Sequence, residues 1–226
     1  MYNIAELPGS IRAQINAANL PMKTVGWEFS DLEQNDNLAA VKKWVSLVKS
    51  GKVIQAAGSP QCGLGLLLVG KPGQGKTTIA SVALQELLRG MSSEAWGTPE
   101  KAPRHPGLFM DYPKLLRLEK STWGEEDDSA ELLLRGIYGE GDKNHLVRLL
   151  ILDDLGKEYR TNSGWSESTF DALLRSRFNA GLPTIITTNT PLDDWSTNYG
   201  EAMGSFALEA FTKLDIISTR GDLRLL

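Results

Sequence analysis

The stretch Gly70-Lys71-Pro72-Gly73-Gln74-Gly75-Lys76-Thr77 satisfies GxxxxGK[ST] at every fixed position, directly behind the apolar run Leu64-Gly65-Leu66-Leu67-Leu68-Val69. Glycines at these places let successive backbone N–H groups curl around phosphate oxygens, and a helix opening at Gly75 adds the positive end of its dipole. Lys76 is then placed to reach the β and γ phosphates. The Thr77 hydroxyl is placed to ligate Mg2+, a hard ion that takes most of its oxygens from phosphate and water. A bare eight-residue pattern also arises by chance in glycine-bearing turns, so the context decides. An apolar strand precedes it, and Ile79, Val82, Ala83, Leu84, Leu87 and Leu88 follow at helical spacing. The chain is expected to bind a nucleoside triphosphate and Mg2+ through Gly70, Pro72, Gly73, Gln74, Gly75, Lys76, Thr77 and Thr78.

Further along, Leu149-Leu150-Ile151-Leu152 is an unbroken apolar run that suits a strand buried on both faces of a parallel sheet, and it ends in Asp153-Asp154. This is the form of a Walker B motif, predicted as a strand over 147–152. Asp153 is the expected second Mg2+ ligand, and Asp154 the acid that orients or deprotonates the attacking water. Acids at a strand end also cap turns, but this pair stands at the edge where open α/β sheets bind ligands. Asp154 is shorter than the glutamate many ATPases use, which points to slow hydrolysis. A β-branched run, Thr184-Ile185-Ile186-Thr187-Thr188, then ends in Asn189 at the same edge, where it can polarise water or meet the γ-phosphate. Asn is also a common turn former, and only the company of the other residues raises it above that.

The remaining pattern predicts helices over 10–18, 35–49, 113–120, 130–138 and 168–179, strands over 108–110 and 214–218, and connectors over 51–63 and 90–106. With 226 residues the chain is long enough for one α/β domain, and a second would be cramped. The organisation expected is a short helical arm over 1–28 and an ATPase domain over 29–226. A charged fraction of 23% beside a hydrophobic fraction of 41% is ordinary for a globular domain and argues against wholesale disorder. The single cysteine, Cys62, cannot form an internal disulfide, and no apolar run approaches a membrane span, so a cytoplasmic location is expected. A net charge of -4 gives no global attraction to nucleic acid, so any such contact must be a local basic patch.

The phosphate loop, LLILDDLGKEYR at 149–160, RSRFNAGLPTIITTN at 175–189 and GDLR at 221–224 occur in the order and spacing of DnaC/IstB-like AAA+ ATPases. The chain resembles a bacterial or phage helicase loader of that family over residues 29–224. The resemblance implies an AAA+ P-loop NTPase core, a parallel sheet of five strands in the order 5-1-4-3-2 flanked by helices, and ATP held between neighbouring copies in a homo-oligomer. It makes Asp153 and Asp154 the Walker B acids and Asn189 the sensor I residue, beside Lys76 as a catalytic residue. The family's next segment supplies an arginine to a neighbour's ATP, but here Ala202 and Phe206 stand where arginines are expected. Weak ATPase activity is therefore expected, or an arginine from elsewhere: Arg177 and Arg175 on the helix before the sensor strand, Arg160 or Arg224.

In the loader branch a helical insertion between the second and third strands grips single-stranded DNA. The matching region is 114–138, where Lys114, Arg117, Lys120 and Arg135 are candidate phosphate contacts and Tyr112 or Trp123 candidate stacking surfaces. A solvated helix face with core aromatics explains each residue singly about as well. The resemblance implies an ATP-dependent loader whose partner is a replicative helicase, with an IstB-like transposition helper on duplex DNA as the alternative. A P-loop nucleotide kinase ranks lower, since no arginine-bearing lid follows the second acidic strand. Either Ile4, Leu7, Ile11 and Ile15 of the leader form a minimal docking helix, or the helicase is met elsewhere on the chain.

Overall fold

Leu66, Leu67 and Leu68 are each fully buried, which requires that β1 (Gly65–Val69) be covered on both faces. The computed structural model describes residues 1–53, 63–92, 95–96, 104–123, 128–157 and 164–218. In chain order the elements are α1 (Gly9–Ala17), α2 (Asp36–Lys49), β1, α3 (Lys76–Gly90), β2 (Gly107–Asp111), α4 (Tyr112–Ser121), α5 (Asp128–Tyr138) and β3 (Leu149–Leu155). They continue with α6 (Trp165–Asn179), β4 (Thr184–Thr188), α7 (Trp195–Tyr199), α8 (Glu201–Ala210) and β5 (Phe211–Asp215).

The sheet runs β2-β3-β4-β1-β5, the expected order read from the other edge, and every neighbouring pair is parallel. Parallel neighbours need crossovers, and the intervening helices divide between the faces. Leu66 and Leu68 point into a core shared with Ile15 of α1, Val41 and Trp44 of α2, and Leu84 and Leu87 of α3. Leu67 and Val69 point the other way, into a core with Leu115 of α4, Ile137 of α5, Phe170 of α6, Trp195 of α7 and Phe206 of α8. Strand periodicity thus sorts one apolar run into two cores.

Several boundaries differ from the sequence expectation, and two of them belong to strands. The last strand starts three residues before the predicted 214, at Phe211, because α8 passes into it without a loop. On this edge strand Phe211 is buried while Thr212, Lys213 and Asp215 are exposed, so no apolar run marks it. The strand predicted over 147–152 instead occupies Leu149–Leu155 and carries both acids inside it, with its register to β4 slipping between Leu152 and Leu155.

The leader is fastened to the domain along its length. The Ala18 carbonyl accepts from the Phe109 N–H at 2.8 Å, and the Asn19 amide donates to the Phe109 carbonyl at 3.0 Å, which ties the segment to β2. Gln85, buried on α3, accepts from the Tyr2 hydroxyl at 2.7 Å and the Gly26 N–H at 2.9 Å, and donates to the Thr24 carbonyl at 2.9 Å. Ile15 is buried, and Ile4, Leu7 and Ile11 pack against the same core. Ile15 is therefore occupied inside the core, while Ile4, Leu7 and Ile11 stay partly exposed.

Candidate nucleotide site

The loop from Gly70 to Gly75 joins β1 to α3 in a backbone only glycine adopts readily. Gly73 and Gly75 have φ of 81° and 84°, in the left-handed region where a Cβ clashes with the backbone. A Cβ on Gly70 would collide with the Ile216 carbonyl. Gly75 caps α3, so the first free N–H groups of a 15-residue helix open onto the loop.

Around this cradle the structure gathers residues far apart in sequence. The Lys76 ammonium donates to the carbonyls of Gly70 at 2.8 Å and Lys71 at 2.9 Å, and to Asn189 Oδ1 at 2.8 Å. The Thr77 hydroxyl donates to Asp153 Oδ1 at 2.9 Å. Thr187, wholly buried on β4, donates its hydroxyl to Asp153 Oδ1 at 2.6 Å and accepts from the Asp154 N–H at 3.1 Å. Thus Lys76, Thr77, Asp153, Asp154 and Asn189 meet at the carboxyl ends of β1, β3 and β4, the edge where open α/β sheets hold ligands.

Asp153 is only 6% exposed, and burial pushes its carboxyl above the ordinary carboxylate value, with the nearby charges of Asp154 and Asp111 acting the same way. The Thr187 and Thr77 hydroxyls oppose the shift by bonding the ionised form. Two like charges beside a buried acid suit a site that receives a cation. Asp154 has φ of 60°, and its Oδ2 accepts from the Lys157 ammonium at 2.7 Å.

Beside the loop lies a cavity of about 460 Å3 lined by Trp27, Asp31 and Glu33 of the leader side, Gln74 and Thr78 of the loop and α3, and Ser218 beyond β5. Gln74 Oε1 accepts from the Ser218 N–H, and the Ser218 hydroxyl donates to Glu33 at 2.9 Å, so both walls are tied together. The volume falls within the range of small-molecule pockets.

The remaining sequence candidates divide. Arg177 is not available for catalysis: it is 0% exposed and donates to Thr184 Oγ1 and to the carbonyls of Ile137, Val147 and Pro183, which binds α6 to β4 and to the segment before β3. Arg175, two residues away and so on the opposite side of α6, is partly exposed and pairs with Asp171 at 2.9 Å. Arg160 and Arg224 lie outside the described residues. Lys114, Arg117 and Lys120 are exposed on α4, and Arg135 is exposed on α5. Tyr112 is buried and donates its hydroxyl to the Ser166 carbonyl at 2.6 Å, so it offers no stacking face. Trp123 is 64% exposed and meets Trp165 edge to face at 5.2 Å, with the Lys120 ammonium 4.8 Å from the Trp165 ring centre. Thr187, Asp111 and Lys157 were not singled out in the sequence. Alternation along 184–188 places Thr187 beside the acids, a signal that was present.

Solved structures with this arrangement include the DnaC helicase loader, 22% identical, with 87% of this chain and 100% of that chain covered at a TM-score of 0.58. What they share with this chain is the fold, a helix-flanked sheet of five parallel strands. DnaI matches at 19% identity, with 91% and 95% of the two chains covered and a TM-score of 0.59. AMPPCP-bound DnaA from Aquifex aeolicus matches at 14% identity over 91% of this chain and 53% of its own, with a TM-score of 0.50. No protein-family model matches the sequence, and no curated protein sequence does so significantly. Among the described residues no helix is long and apolar enough to cross a membrane, and no cluster of three or more His, Cys, Asp or Glu could hold a metal by itself.

Proposed function

We propose that this chain is an ATP-binding, slowly hydrolysing loader that delivers a replicative helicase to single-stranded DNA. The observation that carries the nucleotide part is the convergence at the loop of two hydrogen-bonded pairs, Lys76 with Asn189 and Thr77 with Asp153. The glycine cradle and the α3 N-terminus fit a triphosphate, and the base and ribose have room in the adjoining cavity between Trp27 and Thr78. Thr77 and Asp153 present hard oxygen donors and would hold Mg2+, whose contribution when bound is to neutralise charge on the β and γ phosphates. Lys76 binds the same phosphates, Asn189 orients the γ end, and Asp154 accepts a proton from the attacking water.

The helicase and DNA parts are supported by the likeness of fold to the DnaC helicase loader and to DnaI, and by the exposed cations of α4 beside Trp123. Lys114, Arg117, Lys120 and Arg135 would meet backbone phosphates, and Trp123 a base. A homo-oligomer would join copies through the ATP edge. The test is to mix the purified protein with its source's replicative helicase and ATP and to measure the mass of the product by light scattering after size exclusion. A defined ATP-dependent complex that Lys76→Ala abolishes supports a loader. Absence of a complex, with ATP-dependent assembly on duplex DNA instead, favours the transposition helper.

A further inference from the structure

Asp154 and Lys157 are joined by a turn that nothing in the nucleotide chemistry requires. The backbone leaves β3 through Asp154 at φ 60° and Gly156 at φ 96°, and the Lys157 N–H closes the turn on the Asp154 carbonyl at 3.2 Å. The turn is anchored to the sensor strand, where the Thr188 hydroxyl donates to the Leu155 carbonyl at 2.8 Å. A Cβ on Gly156 would come within 2.7 Å of Thr190 Oγ1, so the turn lies close against the end of β4. The slipped register between Leu152 and Leu155 is the local cost of this path. Its outcome is an ammonium 2.7 Å from Asp154 Oδ2, with side-chain exposures of 56% for Lys157 and 30% for Asp154.

We infer that Lys157 is a positioning residue that restrains Asp154 and slows hydrolysis at this site, an inference that rests on the ATP-hydrolysing role proposed above. In hydrolysis the water oxygen bonds the γ-phosphorus while the bond to the β-phosphate oxygen breaks with its electron pair, and the proton that the water sheds needs a carboxylate to receive it. A carboxylate oxygen already accepting from an ammonium is turned toward that ammonium and is a poorer acceptor for the water. The pair is partly exposed, and such pairs contribute little to stability. It therefore holds the acid loosely, as a brake that other contacts can release.

The test compares the full chain with Lys157→Ala, Lys157→Arg, Asp154→Asn and the Asp154→Asn/Lys157→Ala double variant, measuring kcat and KM for ATP and the affinity for a fluorescent ATP analogue. Lys157→Ala is expected to raise kcat about two- to fivefold, the span an exposed ion pair allows, with KM unchanged. Lys157→Arg should restore the slower rate, and Lys157→Ala should have no effect once Asp154 is Asn. An unchanged or lower kcat in Lys157→Ala, with the analogue still bound, overturns the restraint alone. Failure of the wild-type chain to bind the analogue overturns the nucleotide site and the restraint together.

Discussion

The guanidinium of Arg175 lies over the ring of Phe206, 4.5 Å from its centre, and reaches the Ala202 carbonyl at 3.4 Å. Ala202 and Phe206 are the two positions at which the resemblance to DnaC/IstB-like ATPases leads one to expect arginines. An arginine from a different helix, steadied by Asp171 and a ring face, thus occupies the surface where the expected ones are missing. If this arginine meets a neighbour's γ-phosphate, Arg175→Ala should lower ATP turnover by about tenfold or more while leaving affinity for an ATP analogue unchanged. Mixing Arg175→Ala with Lys76→Ala should then recover turnover, because each copy supplies what the other lacks. No recovery in steady-state assays of the mixture would restrict Arg175 to a surface role.

Asp153 should set fold stability against cation binding. Its carboxyl is held above the ordinary value of 3.8 chiefly by burial, so between that value and the raised one the native state binds more protons than the unfolded chain. Stability therefore falls as pH rises through this window. Asp153→Asn removes the buried charge while keeping an oxygen for Thr77 and Thr187. It should raise the melting temperature at pH 7, by about 2–4 °C for each kcal/mol recovered, with a smaller gain at pH 4, and should weaken Mg2+-dependent nucleotide binding. Thermal scans at the two pH values with and without Mg2+ and an ATP analogue test both halves.

Arg177 should behave as a core residue. Its four hydrogen bonds satisfy Thr184 and three carbonyls that water does not reach once the guanidinium is in place. Arg177→Ala leaves those acceptors unpaired and opens a cavity, which should cost about 3 kcal/mol or more. A lower urea midpoint with no selective change in kcat is the expected pattern.

On α4, reversing Lys114 and Arg117 to Glu should weaken binding of single-stranded DNA with folding and ATP affinity intact, since both side chains are exposed. The slope of log affinity against log salt should fall by roughly 0.7 for each DNA phosphate that the protein no longer neutralises. Trp123→Ala should lower affinity without changing that slope. Titrations of a labelled oligonucleotide at several salt concentrations distinguish the two effects, and unchanged affinity in the charge-reversed variant excludes the patch.

The parts of the site that were legible are those in which residue type is dictated by backbone or chemistry. Gly73 and Gly75 must be glycine where φ is positive, and Leu149 to Leu152 must be apolar where both faces of a strand are covered. β5 was displaced because an edge strand with one covered face carries no such run. α8 was hidden by Gly204, a poor helix former kept where a Cβ would strike Ser196. Arg177 was misread through its charge, although Phe170, Leu173, Leu174 and Arg177 mark one face of α6 at helical spacing. Position outweighed residue type there. The Arg175 arrangement could not be read, because a ring and a cation on separate helices meet only through the tertiary fold.

Tyr2 grips α3 at Gln85, nine residues beyond Lys76 on the same helix, a distance of about 13 Å along its axis. A helix of that length is stiff on the scale of a hydrogen bond. A displacement of the leader that shifts Gln85 would therefore be carried along a rod whose other end is the phosphate loop.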